Sequence, residues 1–597
     1  MRRISLFVLA VLILATAASA QIVLQGTITQ DMTLTSNNTY LLRGGVFVGD
    51  DVNETILEIE PGTVIYGEAA TYGMLVIRRN SKIIANGNAN APIVFTSDQV
   101  NPSRSDWGGL IINGLAHLNV PGGEAFGEGS TGLYGGGTNP NDADDSGILR
   151  YVRVEYAGRE ISPDNELNGI AFQGVGNGTI VEYCQVHMNK DDAFEWFGGS
   201  VNAKYLYATG NADDTFDWTE GWNGKGQFFI CQQYEDDCDQ GIEADNNGEN
   251  NDATPRAHPT LYNLTLVGAW NQDNGESDIG MLLREGTAGN IYNAIVYNFG
   301  EAALDIDQLA TFENAWDYNN NQLNGELTVD YSIWYSNYAE TTNDNDGGPF
   351  TEEDFLHTLN ANNLFNDPML TNPTNPLNPS YAPQAGSPAI GNGFVAPNDG
   401  FFSQVDYIGA MAPDENWLFG WTTPGTGGFP PDAVTQTTSL VGNRFELVSL
   451  YVSPLDLAAT SIFDIDGLQI VLADNGGIFW PAFNINTIGN VNPTEGYKVF
   501  IDADADWENT GALLGEDATY DLVAGPWNFV GFPFAGPVDL ETALSDILSH
   551  VVAVQDDDGN LYWPGVGIYD LTTLQPGAGY QIIVDQNVSF NFNDGVQ

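Results

Sequence analysis

A segment of eight residues occurs twice, and its repeat distance constrains the fold more than any other feature. The sequence NKDDAFEW at Asn189–Trp196 returns as NADDTFDW at Asn211–Trp218, twenty-two residues later. A looser third copy begins at Asp236-Asp237 and ends at Gly241–Asp245. A period in the low twenties, with strand-forming residues in each copy, is typical of one turn of a β-solenoid. Equivalent residues of neighbouring turns are then expected about 4.8 Å apart, the spacing of paired strands.

This stacking is expected to place carboxylates above one another, with Asp192 over Asp214 and Glu195 over Asp217. Like charges this close are unfavourable unless a carboxylate takes a proton or a cation lies between them. Ca²⁺ suits the spacing because its oxygen ligands lie at roughly 2.3–2.6 Å. We therefore predict Ca²⁺ as a cofactor, with Asp239 and Asp245 as secondary candidate ligands. The principal candidate ligands are Asp191, Asp192, Glu195, Asp213, Asp214, Asp217 and Glu243.

The alternation of side chains along a strand offers a purely structural alternative. Successive side chains of a strand point to opposite faces, so the aromatic residues can pack inward while the acids lie in exposed turns. A turn needs only one Asp, whereas each copy offers a pair and a third acid, which favours a metal. Packing inside the coil is favoured over stacking on sugar rings for Trp196, Trp218, Trp222 and Trp270.

A strand-like segment recurs seven times, and it predicts a parallel sheet with Tyr183 over Tyr205 on adjacent turns. The intervals lie in the twenties and thirties, as in a solenoid whose loops absorb the variation. The segments are Tyr151–Glu155, Tyr183–Val186, Tyr205–Ala208, Phe228–Cys231, Leu264–Leu266, Ala294–Val296 and Tyr331–Trp334. A stretch rich in Gly, Asn and Asp at 121–146 is expected to leave the coil as a long loop.

The three cysteines give no disulfide framework, and two arrangements stay open. Cys231 and Cys238 can pair across a short loop, or Cys184 and Cys231 can fill the interior as small apolar residues. The five histidines show no zinc-binding spacing. No phosphate-binding loop or dinucleotide-binding fingerprint is found.

The N-terminus and the charge indicate an exported protein. Residues 1–20 have a basic start, an apolar stretch at Ile4–Ala15 and the sequence ASA before Gln21, which is typical of a secretory signal peptide. The expected location is extracellular or on the outer cell surface, with no membrane span after cleavage. A formal net charge of −62 makes nucleic acid and anionic membranes poor partners.

A second duplication follows the coil. Residues 425–440 are predicted to form a linker because Thr423–Pro431 is rich in Gly and Pro. Trp480-Pro481 then precedes Gly496-Tyr497 by the same sixteen residues that separate Trp563-Pro564 from Gly579-Tyr580. We predict two β modules, at 441–510 and 511–597, with both tryptophans in their cores.

Two segments near the end of the coil carry a family resemblance. Ala385–Ile390, with the sequence AGSPAI, and Asp406–Ala410 resemble the closing turns of secreted bacterial right-handed parallel β-helix proteins. With the Asn-Asp-Asp repeats, the resemblance covers residues 21–424. The family includes polysaccharide lyases, hydrolases and non-catalytic surface proteins. The tandem modules are similar to those appended to secreted proteins of Bacteroidota-type bacteria. The resemblance implies an all-β protein, with a right-handed parallel β-helix followed by two small β-rich tandem repeat modules.

The acidic repeat also resembles the calcium-binding turns of one β-helix pectate lyase family, which read N-x-D-D-G-F-D. The resemblance implies that calcium neutralises a substrate carboxylate while a lysine removes the adjacent proton. Lys225 is the candidate base, although Phe228 falls closer to the lysine's own position. The leading expectation is a calcium-stabilised extracellular or cell-surface protein that binds an acidic polysaccharide or surface glycans. The alternative is a calcium-dependent polysaccharide lyase that acts by β-elimination on a uronic-acid polymer.

Overall fold

The chain divides into two compact units. The computed structural model describes residues 21–593 except 163–165, 271–276, 344, 375–378, 414, 424–433, 455–456, 458, 484 and 515–517. Of the described residues, the first unit takes those up to 374, 381–413 and 421–423, and the second takes 379–380, 415–420 and those from 434 onward. The predicted signal peptide 1–20 lies outside the described residues, as does the part of the predicted linker at 425–433. No helix of the described residues is long and apolar enough to cross a membrane.

Short strands dominate the first unit, with two short helices, α1 (Leu309–Asn314) and α2 (Glu352–Asp354), the latter continuing into a π-helical turn at Phe355–Leu359. In chain order the strands are β1 (Ile22–Ile28), β2 (Met32–Leu34), β3 (Thr39–Val48), β4 (Ile56–Ile59), β5 (Val64–Gly67), β6 (Met74–Ile77), β7 (Lys82–Asn86), β8 (Ile93–Ser97), β9 (Gly109–Asn113), β10 (Ala125–Gly127), β11 (Gly132–Tyr134), β12 (Gly147–Glu155), β13 (Ile170–Gln173), β14 (Ile180–His187), β15 (Phe194–Phe197), β16 (Asn202–Thr209), β17 (Phe216–Thr219), β18 (Lys225–Gln232), β19 (Ile242–Ala244), β20 (Thr260–Val267), β21 (Ile279–Leu283), β22 (Gly289–Tyr297), β23 (Ala302–Ile306), β24 (Trp316–Asp317), β25 (Gln322–Leu323), β26 (Leu327–Asp330), β27 (Ile333–Tyr335), β28 (Leu370–Asn372) and β29 (Ser380–Pro383).

Among the described residues, 23 of these strands form one parallel sheet that winds into a coil with three faces. The first face begins with β2, β4 and β7, the second with β5 and β8, and the third with β6 and β9. From β12 onward a single bent strand supplies the first two faces of each turn. The third face continues through β13, β15, β17, β19, β21 and β23. The expected parallel β-helix is confirmed. Six of the seven recurring segments lie in the bent strands, and the seventh overlaps their continuation β27.

The corner between the first two faces carries a row of stacked aromatic rings. Tyr151, Tyr183, Tyr205 and Phe228 occupy this corner with φ angles of 48°, 54°, 58° and 64°. A left-handed conformation costs a non-glycine residue about 1–2 kcal/mol. The centroids of successive rings lie 4.5, 4.3 and 4.9 Å apart, and this stacking offsets part of the cost. Tyr183 lies over Tyr205 as predicted.

The interior of the coil is filled by aromatic and aliphatic side chains. Trp196, Trp218 and Trp222 are at most 1% exposed, which confirms that they belong to the core. The rings of Trp196 and Trp222 stack with their centroids 4.5 Å apart. Cys184 and Cys231 also lie in this core, and no disulfide bond forms among the described residues. The interior therefore uses these two cysteines as small apolar residues.

Residues 381–413, here called the strap, lie along the outside of the coil instead of adding closing turns. Ala389 and Ile408 pack against Ile295 of the second face. The backbone N–H of Gly409 donates to the carbonyl of Asn293 at 2.8 Å. The resemblance implied closing turns here, but the structure buries Ala389 against the outer surface of the coil and leaves Ile390 38% exposed.

The second unit contains two antiparallel modules with equivalent sheets and two short helices, α3 (Ala459–Ile462) and α4 (Leu540–Ala543). The first module has β30 (Val434–Leu440), β31 (Phe445–Val448), β32 (Val452–Ser453), β33 (Leu468–Leu472), β34 (Ile478–Trp480), β35 (Ile485–Asn486), β36 (Tyr497–Ile501) and β37 (Ala505–Leu513). The second has β38 (Thr519–Leu522), β39 (Asn528–Gly531), β40 (Val538–Asp539), β41 (Val551–Gln555), β42 (Leu561–Trp563), β43 (Ile568–Tyr569), β44 (Thr573–Leu574), β45 (Gly579–Val584) and β46 (Val588–Asn591). The described end of the predicted linker, 434–440, is therefore a strand, rich in β-branched Val and Thr.

The tryptophans expected in the module cores are not buried there. Trp563 is 39% exposed and Trp480 is half-buried. In each hairpin the residue before the tryptophan, Phe479 or Tyr562, points into the core instead. The prediction was wrong because a strand alternates its faces, so only one of two adjacent aromatic residues can point inward.

Candidate metal centre

Acidic side chains form a row on the outer side of the third face. Phe194 and Trp196 of β15 point into the core, as do Phe216 and Trp218 of β17, so the residue between each pair points outward. The strand register sets Glu195 beside Asp217, and Asp217 beside Glu243, on three successive turns. Ala171 precedes this row and Leu282 follows it. The predicted stacking of Glu195 on Asp217 is therefore present, and Glu243 continues the row.

The turns that lead into these strands hold the paired aspartates. The backbone N–H of Asp214 donates to Oδ1 of Asp192 at 3.0 Å, and the N–H of Gln240 donates to Oδ1 of Asp214 at 2.8 Å. The amide of Asn189 donates to the carbonyls of Asp191 and Asp192 at 3.0 and 2.7 Å. Asn189 therefore stabilises its own turn. Asp192 and Asp214, the second aspartates of their pairs, each link a turn to the following one.

Among the described residues, three groups of carboxylates bring their oxygens within 4.8 Å of one another. Two oxygens that contact one Ca²⁺ at about 2.4 Å can be at most about 4.8 Å apart, so each group can share an ion. The donors are all hard oxygens, which suits Ca²⁺ better than zinc. The groups are Asp191 with Asp192 and Asp213, Asp192 with Glu195 and Asp217, and Asp213 with Asp214 and Asp239.

Burial makes these groups unfavourable as free anions. Asp192, Glu195, Asp214 and Asp217 are each less than a tenth exposed, and burial, reinforced by neighbouring carboxylates, raises their pKa values well above the usual range. Burial and the charge of Asp213 raise the pKa of Asp191 to about 8. The carboxylates therefore need either protons or a cation to remain buried.

Several oxygens beside these groups lack a hydrogen-bond donor. Within the described part of the chain, Oδ1 of Asp217 and Oδ1 of Asp239 are buried without a partner. The side-chain amide oxygens of Asn168 and Asn189 are also buried without a partner. The amide nitrogen of Asn168 donates to the carboxylate of Glu195. A buried acceptor without a partner loses about 1–3 kcal/mol relative to water. These oxygens fit a bound cation, because an ion would supply the missing interaction.

Two predicted residues of the third copy, Glu243 and Asp245, have another partner, and the secondary candidate Asp239 joins a group instead. Arg284 forms an ion pair with Glu243 and another with Asp245, the latter at 2.9 Å between Nε and Oδ1. Glu243 stands in the outward row but belongs to none of the three groups. Asp239 joins Asp213 and Asp214, because it precedes Ile242 by the three residues that separate Asp213 from Phe216. When the third copy is aligned by its strand, with Ile242 opposite Phe216, Asp239 is the residue equivalent to Asp213.

The Asp236-Asp237 echo is not equivalent to the repeated aspartates. Arg104 pairs with Asp236 at 2.7 Å, and Lys190 pairs with Asp237 at 2.8 Å. Both acids belong to the connection between β18 and β19, where surface ion pairs hold them. Sequence similarity alone therefore misplaced the third copy by three residues.

The candidate base Lys225 does not face the carboxylates. It begins β18 on the first face, where it pairs with Thr260, whereas the acids belong to the third face and its preceding turns. Its ammonium forms an ion pair with Asp399 of the strap and lies 5.8 Å from the ring centroid of Phe402. Phe228 stands at the corner of the coil, stacked on Tyr205. The structure does not bring a Lys225 base and the acidic groups together.

Comparison with known proteins defines the family. A family model described as a pectate-lyase like beta helix domain matches residues 26–365, which is more than half of the chain. The chain therefore belongs to the pectate-lyase-like β-helix family. The crystal structure of the Dettilon tailspike protein (gp208) covers 96% of this chain and 87% of its own, with 10% identity and a TM-score of 0.23. None of the curated proteins matches the sequence.

Proposed function

We propose that the chain is an exported, calcium-stabilised protein that binds polysaccharide outside the cell. The observation that carries the calcium part is the buried Asp192, Glu195 and Asp217 group, with Oδ1 of Asp217 lacking a partner. Residues 26–365 belong to a family named for pectate lyases, enzymes whose name refers to a polysaccharide substrate. Calcium at the acidic row would join adjacent turns and hold the third face rigid as a binding surface.

Calcium binding is tested by counting bound metal. We expect protein dialysed against excess CaCl₂ to retain Ca²⁺ in elemental analysis, and Asp192→Asn with Asp214→Asn to retain less. Each of these residues belongs to at least one of the three groups. Glu58→Gln, an exposed carboxylate elsewhere on the coil, is the matched control and should retain as much Ca²⁺ as the wild type. Equal retention in all three proteins would refute the proposed site.

Polysaccharide binding is tested separately from metal binding. We expect polygalacturonate to retard the protein in native gels containing CaCl₂, and EDTA to reduce the retardation. The reason is that Ca²⁺ can neutralise both the acidic row and the polymer. Equal mobility with and without the polymer would refute binding to this class of polysaccharide.

The alternative function is a calcium-dependent lyase, and the family resemblance favours it. A general base must lie within hydrogen-bond reach of the proton it removes, whereas Lys225 is paired with Asp399 on another face. We therefore propose binding without cleavage. Ultraviolet absorbance would detect unsaturated products released from polygalacturonate. Their release by the wild type, together with its loss in Lys225→Ala, would favour the lyase function instead.

A further inference from the structure

The two C-terminal modules each present an aromatic hairpin to solvent. In the first module, Phe483 is 64% exposed and Ile485 is 40% exposed, and the ring of Phe483 lies 4.4 Å from that of Trp480. In the second, Trp563, Val566 and Tyr569 are 39%, 59% and 53% exposed. Large apolar side chains clustered in this way on a surface indicate a binding site.

The two hairpins are structurally equivalent. Trp480 pairs with Ile485 across the first hairpin, and Trp563 pairs with Ile568 across the second. A Pro follows each tryptophan and begins a 3₁₀ turn, Pro481–Phe483 or Pro564–Val566. Phe483 and Val566 occupy the same position at the end of this turn. Both modules therefore expose an apolar side chain at this position, although the residue is Phe in one and Val in the other.

The modules pack on each other in a reciprocal way. Val448 forms a bridge with Ala578, and Val530 forms a bridge with Glu495. Val448 pairs with Tyr497 in its own sheet as Val530 pairs with Tyr580, so the two bridges are the same contact made in both directions. Such isologous packing relates the modules by an approximate two-fold axis. The two hairpins are therefore held at a constant distance within one unit.

The net charge of the modules and the small exposed area of each hairpin indicate which kind of partner can bind. Residues 434–597 contain 22 acidic residues and two basic ones, Arg444 and Lys498. Arg444 pairs with Glu446, and the ammonium of Lys498 lies 4.7 Å from the ring centroid of Phe529. A polyanion would meet repulsion here, and so would a second copy of this chain.

A large side chain has about 150–250 Å² of surface, of which each hairpin residue exposes only a part. The exposed apolar surface of one hairpin is therefore about 300 Å². A stable protein interface needs roughly 800 Å² per partner. A sugar ring presents an apolar face of C–H groups and is small enough for such a patch. We propose that the two hairpins are paired binding sites for a neutral polysaccharide, whose rings stack on Trp480 and Trp563. This inference goes beyond the proposed function and does not rest on the acidic groups of the coil.

The test uses the full chain in native gels containing a soluble neutral polymer. The panel comprises hydroxyethyl cellulose, mixed-linkage β-glucan, arabinoxylan and galactomannan. We expect at least one polymer to retard the wild type, and Trp480→Ala with Trp563→Ala to migrate as in a gel without polymer. Each single substitution should weaken binding by at least about tenfold, because two linked sites bind more tightly than one.

Control variants separate lost binding from lost folding. Phe126→Ala removes a side chain that is 80% exposed in the β10–β11 hairpin and should leave retardation unchanged. Trp480→Phe with Trp563→Phe should retain binding, because a phenyl ring also stacks on a sugar. If the double Ala variant does not fold, Phe483→Ala with Tyr569→Ala removes the exposed rings beside the two tryptophans and should weaken retardation.

Three results would overturn the proposal. The first is no retardation of the wild type by any polymer of the panel. The second is retardation that survives loss of the hairpin aromatic residues. The third is a dimer in sedimentation that the same substitutions dissolve, which would assign the hairpins to self-association. Loss of polygalacturonate retardation with EDTA concerns the coil, so the two proposals fail independently.

Discussion

Asp217→Asn is expected to change the stability of the coil in opposite directions with and without Ca²⁺. The ligand oxygens of Asp192, Glu195 and Asp217 lie within 4.8 Å of one another. Two unit charges at that separation repel by about 3.5 kcal/mol at an effective dielectric constant of about 20. Asp217 belongs to two of the three pairs, so the substitution removes up to about 7 kcal/mol of repulsion when all three are ionised.

Protons reduce this gain, because a carboxyl group at this site binds one rather than remain charged. Even a fraction of the repulsion is large beside the roughly 5–15 kcal/mol that stabilises a domain. In EDTA at pH 8 we therefore expect Asp217→Asn to raise the melting temperature. In CaCl₂ the same substitution removes a charged ligand, so it should lower the melting temperature, since a ligand of the native state stabilises that state.

The assay is thermal unfolding at constant ionic strength, followed by tryptophan fluorescence. Trp196 and Trp218 lie in the strands that carry the acids, so they contribute to this signal. Glu58→Gln is the control and should shift the melting temperature little under either condition. A shift of the same sign and size for Asp217→Asn in EDTA and CaCl₂ would refute the reasoning.

Two further predictions concern the buried interior. Burial lowers the pKa of His187 from 6.5 to about 3, so between these values the unfolded chain binds the extra proton and stability falls as pH decreases. We expect His187→Gln to remove up to about 3 kcal/mol of this acid sensitivity, measured by melts from pH 7 to 4. His357→Gln, on the surface, should leave it unchanged, and an equal effect would contradict the assignment. Trp196→Ala should cost about 3–5 kcal/mol in chemical denaturation, and a loss below about 1 kcal/mol would contradict its role in the core.

Much of the architecture was predictable because it depends on local periodicity. The alternation of Phe and Trp with acids in the two repeats dictates which side chains point inward, and the interval between the repeats dictates which residues stack. Tyr183 lies over Tyr205 for this reason. The same alternation, applied to Phe479 and Trp480, would have shown that only one of these two aromatic residues can be buried.

The sequence by itself determined the coil, its register and the stacking of Glu195 on Asp217, because each depends on residues about one turn apart. Only the tertiary structure decided which acids cluster and which are neutralised. Arg284 pairs with Glu243 from the following turn of the third face, and Asp399 reaches Lys225 from the strap 174 residues further along the chain. Such pairs join residues that no short period relates. Their formation depends on how the strap and the later turns pack, which the local pattern of side chains does not encode.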